Sequence, residues 1–478
     1  MTTQDIYLLS PELSLVALAA LVIIVDLVVV KKTVLAGISL VGLVVPLGFT
    51  LSLIGRDEMG FGGVLLVDDF SILFKCVFLG VGALVILSSI NYLQQWSKYQ
   101  GEYYGLVLFS LAGMMLMAAT GELIAVYVAL ELTSISLYIL AGFIKDPKSS
   151  EAGLKYLLLG AISSAVLLYG MALIFGLTGS TSLSGIAKAL GGTGGTNYDV
   201  LLLGTVLMVA GFGFKIAAVP FQMWVPDVYE GAPTPVTAFL AVGSKAAGFA
   251  LVLRVFYAAL GEPPLQWDWA ILFAILSAAT MTIGNVVALV QTNIKRMLGY
   301  SSIAHAGYLL VGVATITKFG VSGVVFYLLA YAVTNLAAFG AIIAISNRTN
   351  SDEISSYSGM ARRAPLVAFV LLISLLSLTG IPPTAGFFGK FYMFAAAVEY
   401  GLGWLVAIAV VNSAISAYYY VRVIKVMYLG APESEERVIT SASLASVLAV
   451  ALAGIVFLGF YPAPLFEVVQ TAAGVLFR

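Results

Sequence analysis

At 478 residues, the chain is 61% hydrophobic and only 10% charged, with a formal net charge of −1. That balance excludes a soluble enzyme of this length, and the near-neutral charge leaves no basic footprint for nucleic acid. Apolar runs of about 20 residues recur from end to end, which defines an all-α polytopic membrane protein; a barrel would show weaker, alternating segments.

In chain order, fourteen spans are expected: 10–30, 33–54, 69–91, 104–120, 122–143, 152–177, 199–219, 236–260, 269–291, 301–316, 320–346, 366–400, 403–428 and 441–460. The first lacks a basic segment before it and a small-residue cleavage site after it, so it is expected to be a span and not a cleaved signal peptide. Cytoplasmic loops hold the excess of lysine and arginine. With the N-terminus outside, Lys31, Lys32, Lys98, Lys145, Lys148, Lys295, Arg296, Arg348, Arg362, Arg363 and Arg437 fall inside, and only Arg56, Lys188, Lys318 and Arg478 outside. Both termini then face the outer side.

The seventh span is expected to break at Pro220, and the twelfth within LTGIPPTAGFFGKF, at Gly380, Pro382, Pro383, Gly386 and Gly389. Broken backbone at membrane depth is tolerated only when buried in protein or lining a wet cavity. These are the fourth members of two consecutive five-span sets, spans 4–8 and 9–13. Five is odd, so the second set enters from the opposite side, and paired broken helices in inverted halves point to a transport path. The chain thus divides into 1–103 with three spans, a first inverted repeat over 104–260, a second over 268–428, and a last span and tail over 441–478.

Ionisable residues inside the spans are the candidates for chemistry. A lysine at the bilayer centre costs about 3 kcal/mol on insertion scales, so Lys215, Lys245 and Lys390 need compensation or a function. Glu131, near the centre of span five, must either protonate or pair with a cation, and Lys215 is its expected partner. Lys155, one turn into span six, reads alone as an interfacial anchor; functionally, it would tune or receive charge between Lys215 and Lys245. His305, the only histidine, titrates near neutrality and suits a proton relay. Together Glu131, Lys215, Lys245, His305 and Lys390 are expected on one hydrated axis, with Lys155 between the first two lysines. Lys75 could be compensated or could snorkel, and Arg422 and Lys425 are expected to snorkel at the cytoplasmic end of span thirteen. Cys76 is the sole cysteine, which rules out a thiolate-held cluster within the chain, and a lone histidine completes no metal ligand set. With no GxGxxG after a strand and no GxxxxGKS/T, neither cofactor nor metal is expected.

The strings KIAAVPFQMWVPDVYEGAPTPVTAFLAVGSK, NIKRMLGYSSIAHAGY and SLTGIPPTAGFFGKFYMF closely resemble the antiporter-like membrane subunits of proton-pumping NADH-quinone oxidoreductase, respiratory complex I. PDVYEGAPTP, a lysine at Lys390, and a chain ending soon after its fourteenth span without a long lateral helix resemble the N type more than the L or M types. The resemblance implies a proton-translocating subunit without a redox centre, driven by quinone reduction elsewhere in the assembly. It implies a glutamate–lysine pair at Glu131 and Lys215, a bridging lysine at Lys155, and an eighth-span lysine at Lys245. It further implies an axial histidine at His305 and a terminal lysine at Lys390. Partners would be other complex I membrane subunits, including a second antiporter-like one and the small membrane subunits. The setting would be a bacterial inner membrane, a plastid thylakoid membrane being the second choice. Relatives commonly read PFHMW where this chain has PFQMW, and Gln222 cannot ionise near neutral pH. The alternatives are a subunit of a multi-subunit cation/proton antiporter and an inert membrane scaffold.

Overall fold

The computed structural model describes residues 2–96, 99–191, 197–263, 265–432, 434 and 436–477; Lys98 and Arg478 lie outside them. The membrane part is helical throughout: α1 (Ser10–Asp26), α2 (Thr33–Ser52), α3 (Asp69–Trp96), α4 (Gln100–Ala119), α5 (Leu123–Ala141), α6 (Pro147–Thr178), α7 (Tyr198–Ile216), α8 (Val225–Gly231) and α9 (Thr234–Ala258). There follow α10 (Leu265–Ala288), α11 (Ile294–Val313), α12 (Lys318–Thr349), α13 (Pro365–Thr379), α14 (Ala385–Glu399), α15 (Gly403–Leu429), α16 (Ala442–Phe460) and α17 (Ala463–Gly474). Among the described residues, eleven helices are long and apolar enough to cross a membrane; α1, α11 and the broken pair α13–α14 complete the fourteen expected spans. The twelve-residue α17, too short for a span, was not expected. A small antiparallel hairpin pairs Glu58–Gly60 with Leu65–Val67 in the loop before α3.

The layering follows from burial. Every residue of the apolar stretch of α9 is buried within the protein, as are nearly nine-tenths of that of α12, whereas α2, α6 and α15 bury only a third. A lysine on α9 therefore cannot reach lipid, which removes snorkelling as an account of Lys245.

The two breaks share one geometry. α7 ends in a left-handed residue, Ala217 (φ 64°), and the Ala218 amide bonds back to the Gly213 carbonyl at 2.8 Å. α13 ends in a left-handed Gly380 (φ 89°), and the Ile381 amide bonds back to Leu376 at 3.1 Å. In each case proline stands three residues after the left-handed one, Pro220 and Pro383. The first helix thus stops before Pro220, at an alanine whose left-handed backbone costs about 1–2 kcal/mol. Freed backbone groups find side-chain partners, as membrane depth requires. Trp224 Nε1 donates to the Phe214 carbonyl at 3.0 Å, and the Val219 amide donates to Thr280 Oγ1 at 3.0 Å.

Two of the glycines assigned to the second break belong elsewhere. Gly386 and Gly389 lie inside α14, where a Cβ would strike the Ser377 carbonyl and the Tyr327 ring, so they allow close helix packing. Arg422 likewise does not snorkel freely: its guanidinium donates to the carbonyls of Leu289 and Gln291 at the end of α10.

Candidate functional site

Lys215 occupies the last turn of α7, and its ammonium donates to Ser134 Oγ on α5 at 2.9 Å. Glu131 lies one turn before Ser134, half-buried, and accepts from Ser164 on α6. Among the described residues the expected Glu131–Lys215 ion pair is not formed within 4.0 Å, because Ser134 takes the ammonium.

Lys155 is not between Lys215 and Lys245. Its side chain, 43% exposed, pairs with Glu151 and with Asp227, each at 2.7 Å. Asp227, on α8, also receives Arg296 at 2.7 Å, so this group ties the ends of α6, α8 and α11 together at the surface. One helical turn from the span's start, Lys155 finds two carboxylates, Glu151 and Asp227, nearer than the interior.

Lys245 follows a π-helical turn, Leu240–Ser244, within α9. Single π-turns inside α-helices recur at functional sites. The ammonium donates to the Ser302 carbonyl and, at 2.5 Å, to Ser302 Oγ on α11, and lies 5.5 Å from the Tyr331 ring centroid. Lys215 reaches the same helix: a Cβ at Gly248, one turn beyond Lys245, would sit 3.2 Å from Lys215 Cγ. Ser244, next to Lys245 in the chain, is buried, as is Tyr156, whose ring centroid lies 6.0 Å from that of Phe214, the neighbour of Lys215.

His305, also on α11, bonds through Nδ1 to the Tyr327 hydroxyl at 2.5 Å and through Nε2 to the Tyr420 hydroxyl at 3.2 Å. Its ring lies 5.2 Å from that of Tyr331, which also faces Lys245. Tyr420 bonds Ser301 at 2.5 Å, and its neighbour Tyr419 donates to Asn285 Oδ1 at 2.9 Å. Asn285 in turn donates to the Tyr308 hydroxyl at 2.9 Å. The Tyr308 ring centroid lies 4.5 Å from the Lys390 ammonium.

Lys390 ends the row, on α14 after the second break. Its ammonium donates to the carbonyls of Leu378 and Thr379 and to Ser413 Oγ, each at 3.0 Å, capping the C-terminus of α13, where a cation is favoured. Gly380 makes the approach possible, since a Cβ there would stand 3.1 Å from Lys390 Cδ. A cavity of about 630 Å³, mostly apolar and with Glu399 on its wall, adjoins Lys390.

The hydroxyls and amides of Tyr308, Tyr327, Tyr419, Tyr420, Ser302 and Asn285 carry no charge that would mark them in the sequence. Asn285, a buried amide in a span that is mostly apolar, is the legible signal. Elsewhere, Lys75 is compensated by Glu12 at 2.8 Å, and Arg254 by Asp68.

A polytopic helical bundle with two broken helices and a buried row of ionisable and hydroxyl side chains defines a membrane ion-translocating class. The family described as NADH:quinone oxidoreductase/Mrp antiporter, transmembrane, matches residues 120–416. A Dehalococcoides mccartyi protein called NADH-quinone oxidoreductase subunit N is 46% identical over 477 residues, covering 97% of this chain and 98% of that one. Among solved structures, a chain of respiratory complex I from Thermus thermophilus with bound aureothin is 34% identical, with a TM-score of 0.81 over 96% of this chain and 98% of that one. A chain of the Mrp complex from Dietzia sp. has a TM-score of 0.85 over 100% of this chain and 98% of that one, but 23% identity, a likeness of fold alone. This chain belongs to the NADH:quinone oxidoreductase/Mrp antiporter transmembrane family.

Proposed function

We propose that the chain is the N-type proton-translocating membrane subunit of a quinone-reducing complex I. It would have no redox centre of its own and would lie beside other membrane subunits, including a second antiporter-like one and the small membrane subunits. The observation that carries this reading is the set of buried Lys215, Lys245, His305 and Lys390, each bonded to a hydroxyl side chain. Proton transfer needs donors and acceptors within hydrogen-bond reach, directly or through one water, and hydroxyls serve as both. Quinone reduction elsewhere would change the field along the row, so that each lysine takes up and releases a proton in turn. Lys390, beyond the second break, releases to the outside, and its adjoining cavity with Glu399 supports that placing.

The alternative as a cation/proton antiporter subunit shares the fold, so fold does not separate them; identity over the full chain favours complex I. Affinity purification tests the choice. Recovery with subunits that reduce quinone, and proton uptake into vesicles during that reduction, is the expected result. Recovery only with antiporter subunits and sodium-driven proton exchange would contradict it.

We further propose a bacterial inner membrane with both termini outside, and an inverted relation between 104–260 and 268–428, supported by the shared geometry of the two breaks. An impermeant thiol reagent should label Glu262→Cys only from the outer face and Glu353→Cys only from the cytoplasmic face. Labelling of both from one face would end the scheme. The chain purified alone is expected to carry no flavin and no iron–sulfur cluster. A stoichiometric visible absorption band would overturn that expectation.

A further inference from the structure

Helix α8 has only seven residues and follows the first break, and helices this short do not hold themselves in place. Its two carboxylates meet one cation of α11. Arg296 donates from a single terminal nitrogen to Asp227 at 2.7 Å and to Glu230 at 3.2 Å. From the other side, α6 brings Lys155 to Asp227 at 2.7 Å and Lys148 to Glu230 at 3.7 Å. Gly231 lets α8 close on α6, since a Cβ there would stand 2.7 Å from the Lys148 carbonyl. Among the described residues, Arg296 is the one cation of the proposed second repeat that bonds α8.

The same two helices meet again inside the protein. Tyr229, two residues after Asp227, is buried, and its hydroxyl bonds Ser302 Oγ at 3.0 Å. Ser302 lies six residues beyond Arg296 on α11, a rise of about 9 Å. Its Oγ also accepts from the Lys245 ammonium at 2.5 Å. Between the two meeting points Gly299 leaves room for α8, since a Cβ there would stand 3.4 Å from both Pro226 Cα and Tyr229 Cβ. Half-exposed ion pairs add little to stability. What Arg296 supplies is register: it sets where α8 sits along α11, and so whether the Tyr229 hydroxyl reaches Ser302.

We propose that Arg296 is a positioning residue for Lys245, acting through the carboxylates of α8 and the Tyr229 hydroxyl on Ser302. With Arg296 bonded, Ser302 is held between Tyr229 and Lys245. Without it, α8 keeps its charged ties to α6 alone, Tyr229 moves off Ser302, and the seat of the ammonium shifts. A displacement of about 1 Å at a reacting group costs about 100-fold in rate. Lys155, which bonds α8 from its own repeat, has no such part. The proposal rests on the proton-translocating reading given above.

The test measures protons pumped per quinone reduced by assembled complex carrying Arg296→Gln, Arg296→Lys, Tyr229→Phe or Arg296→Gln with Tyr229→Phe, beside Lys215→Ala. Arg296→Met repeats the first should glutamine fail to assemble. Expected for Arg296→Gln is a deficit of about half or more of that in Lys215→Ala, given the cost of misplacing a reacting group. Arg296→Lys should recover most of it, because one nitrogen makes both bonds and an ammonium has three donors. Tyr229→Phe should show a similar deficit, and the double variant no more than either alone, since residues acting through one contact are not additive. An unchanged ratio in Arg296→Gln while Lys215→Ala lowers it overturns the positioning role and leaves the proton-translocating reading standing. So does a lysine variant as defective as the glutamine one, or deficits that add in the double variant. An unchanged ratio in Lys215→Ala itself overturns that reading, and the positioning role with it.

Discussion

Arg254→Ala should destabilise the assembled protein by about 3–5 kcal/mol, the usual cost of leaving one member of a buried ion pair alone. Arg254 donates to Asp68 through both terminal nitrogens, at 2.6 and 2.9 Å, and to the Ala118 carbonyl at 2.9 Å, with side chains only 3% and 6% exposed. The pair joins α9, the most enclosed helix, to the loop before α3, so its loss loosens the helix that carries Lys245. Thermal inactivation of the complex measures the effect. The double replacement Arg254→Met with Asp68→Leu should recover most of the loss, because apolar residues of similar volume remove both buried charges. A single replacement that leaves the inactivation temperature unchanged would show that the pair contributes nothing there.

The second large effect separates two roles of Lys390. Its ammonium caps α13 through two carbonyls and also ends the proposed proton row. Lys390→Met loses both, leaving the carbonyls of Leu378 and Thr379 without their charged donor, a loss of roughly 1.5–3 kcal/mol for each such bond. Lys390→Arg keeps a cationic cap, and the adjoining cavity has room for the guanidinium. Arginine does not deprotonate in proteins, so it cannot pass a proton on. The expected pattern is lower thermal stability and lost pumping for Lys390→Met, but near-normal stability with lost pumping for Lys390→Arg. Pumping at the unsubstituted ratio in the arginine variant would make Lys390 a cap alone.

Much of this arrangement is legible in the residues. Spans need about 20 apolar residues, so composition alone outlines the helices, and Lys215, Lys245 and Lys390 stand out because charge in hydrocarbon demands a reason. The positions of the breaks are less legible. Pro220 marks the first, yet the chain turns at Ala217, which no propensity singles out. Glycine near the second break is ambiguous, since Gly380 turns the backbone while Gly386 and Gly389 admit neighbours. Partners are least legible, because they belong to distant segments. Nothing local to Lys215 says that Ser134, and not Glu131, receives its ammonium. Nothing near Lys155 says that Asp227, 72 residues on, holds it at the surface. The tyrosines around His305 look like ordinary apolar packing until three helices bring their hydroxyls together.

Lys155 and Lys215 therefore make the sharpest contrast, since the resemblance assigns both to the path, while Lys215 is buried and Lys155 is held by carboxylates at the surface. The decisive measurement is the number of protons pumped per quinone reduced by assembled complex carrying Lys215→Ala or Lys155→Ala. Removing a positioned acid–base group typically slows proton transfer by 100-fold or more, roughly, so Lys215→Ala should silence this subunit's share. Lys155→Ala leaves Asp227 still paired with Arg296 and should pump at the unsubstituted ratio. Normal pumping in Lys215→Ala, or a loss confined to Lys155→Ala, would contradict a proton path through the buried row.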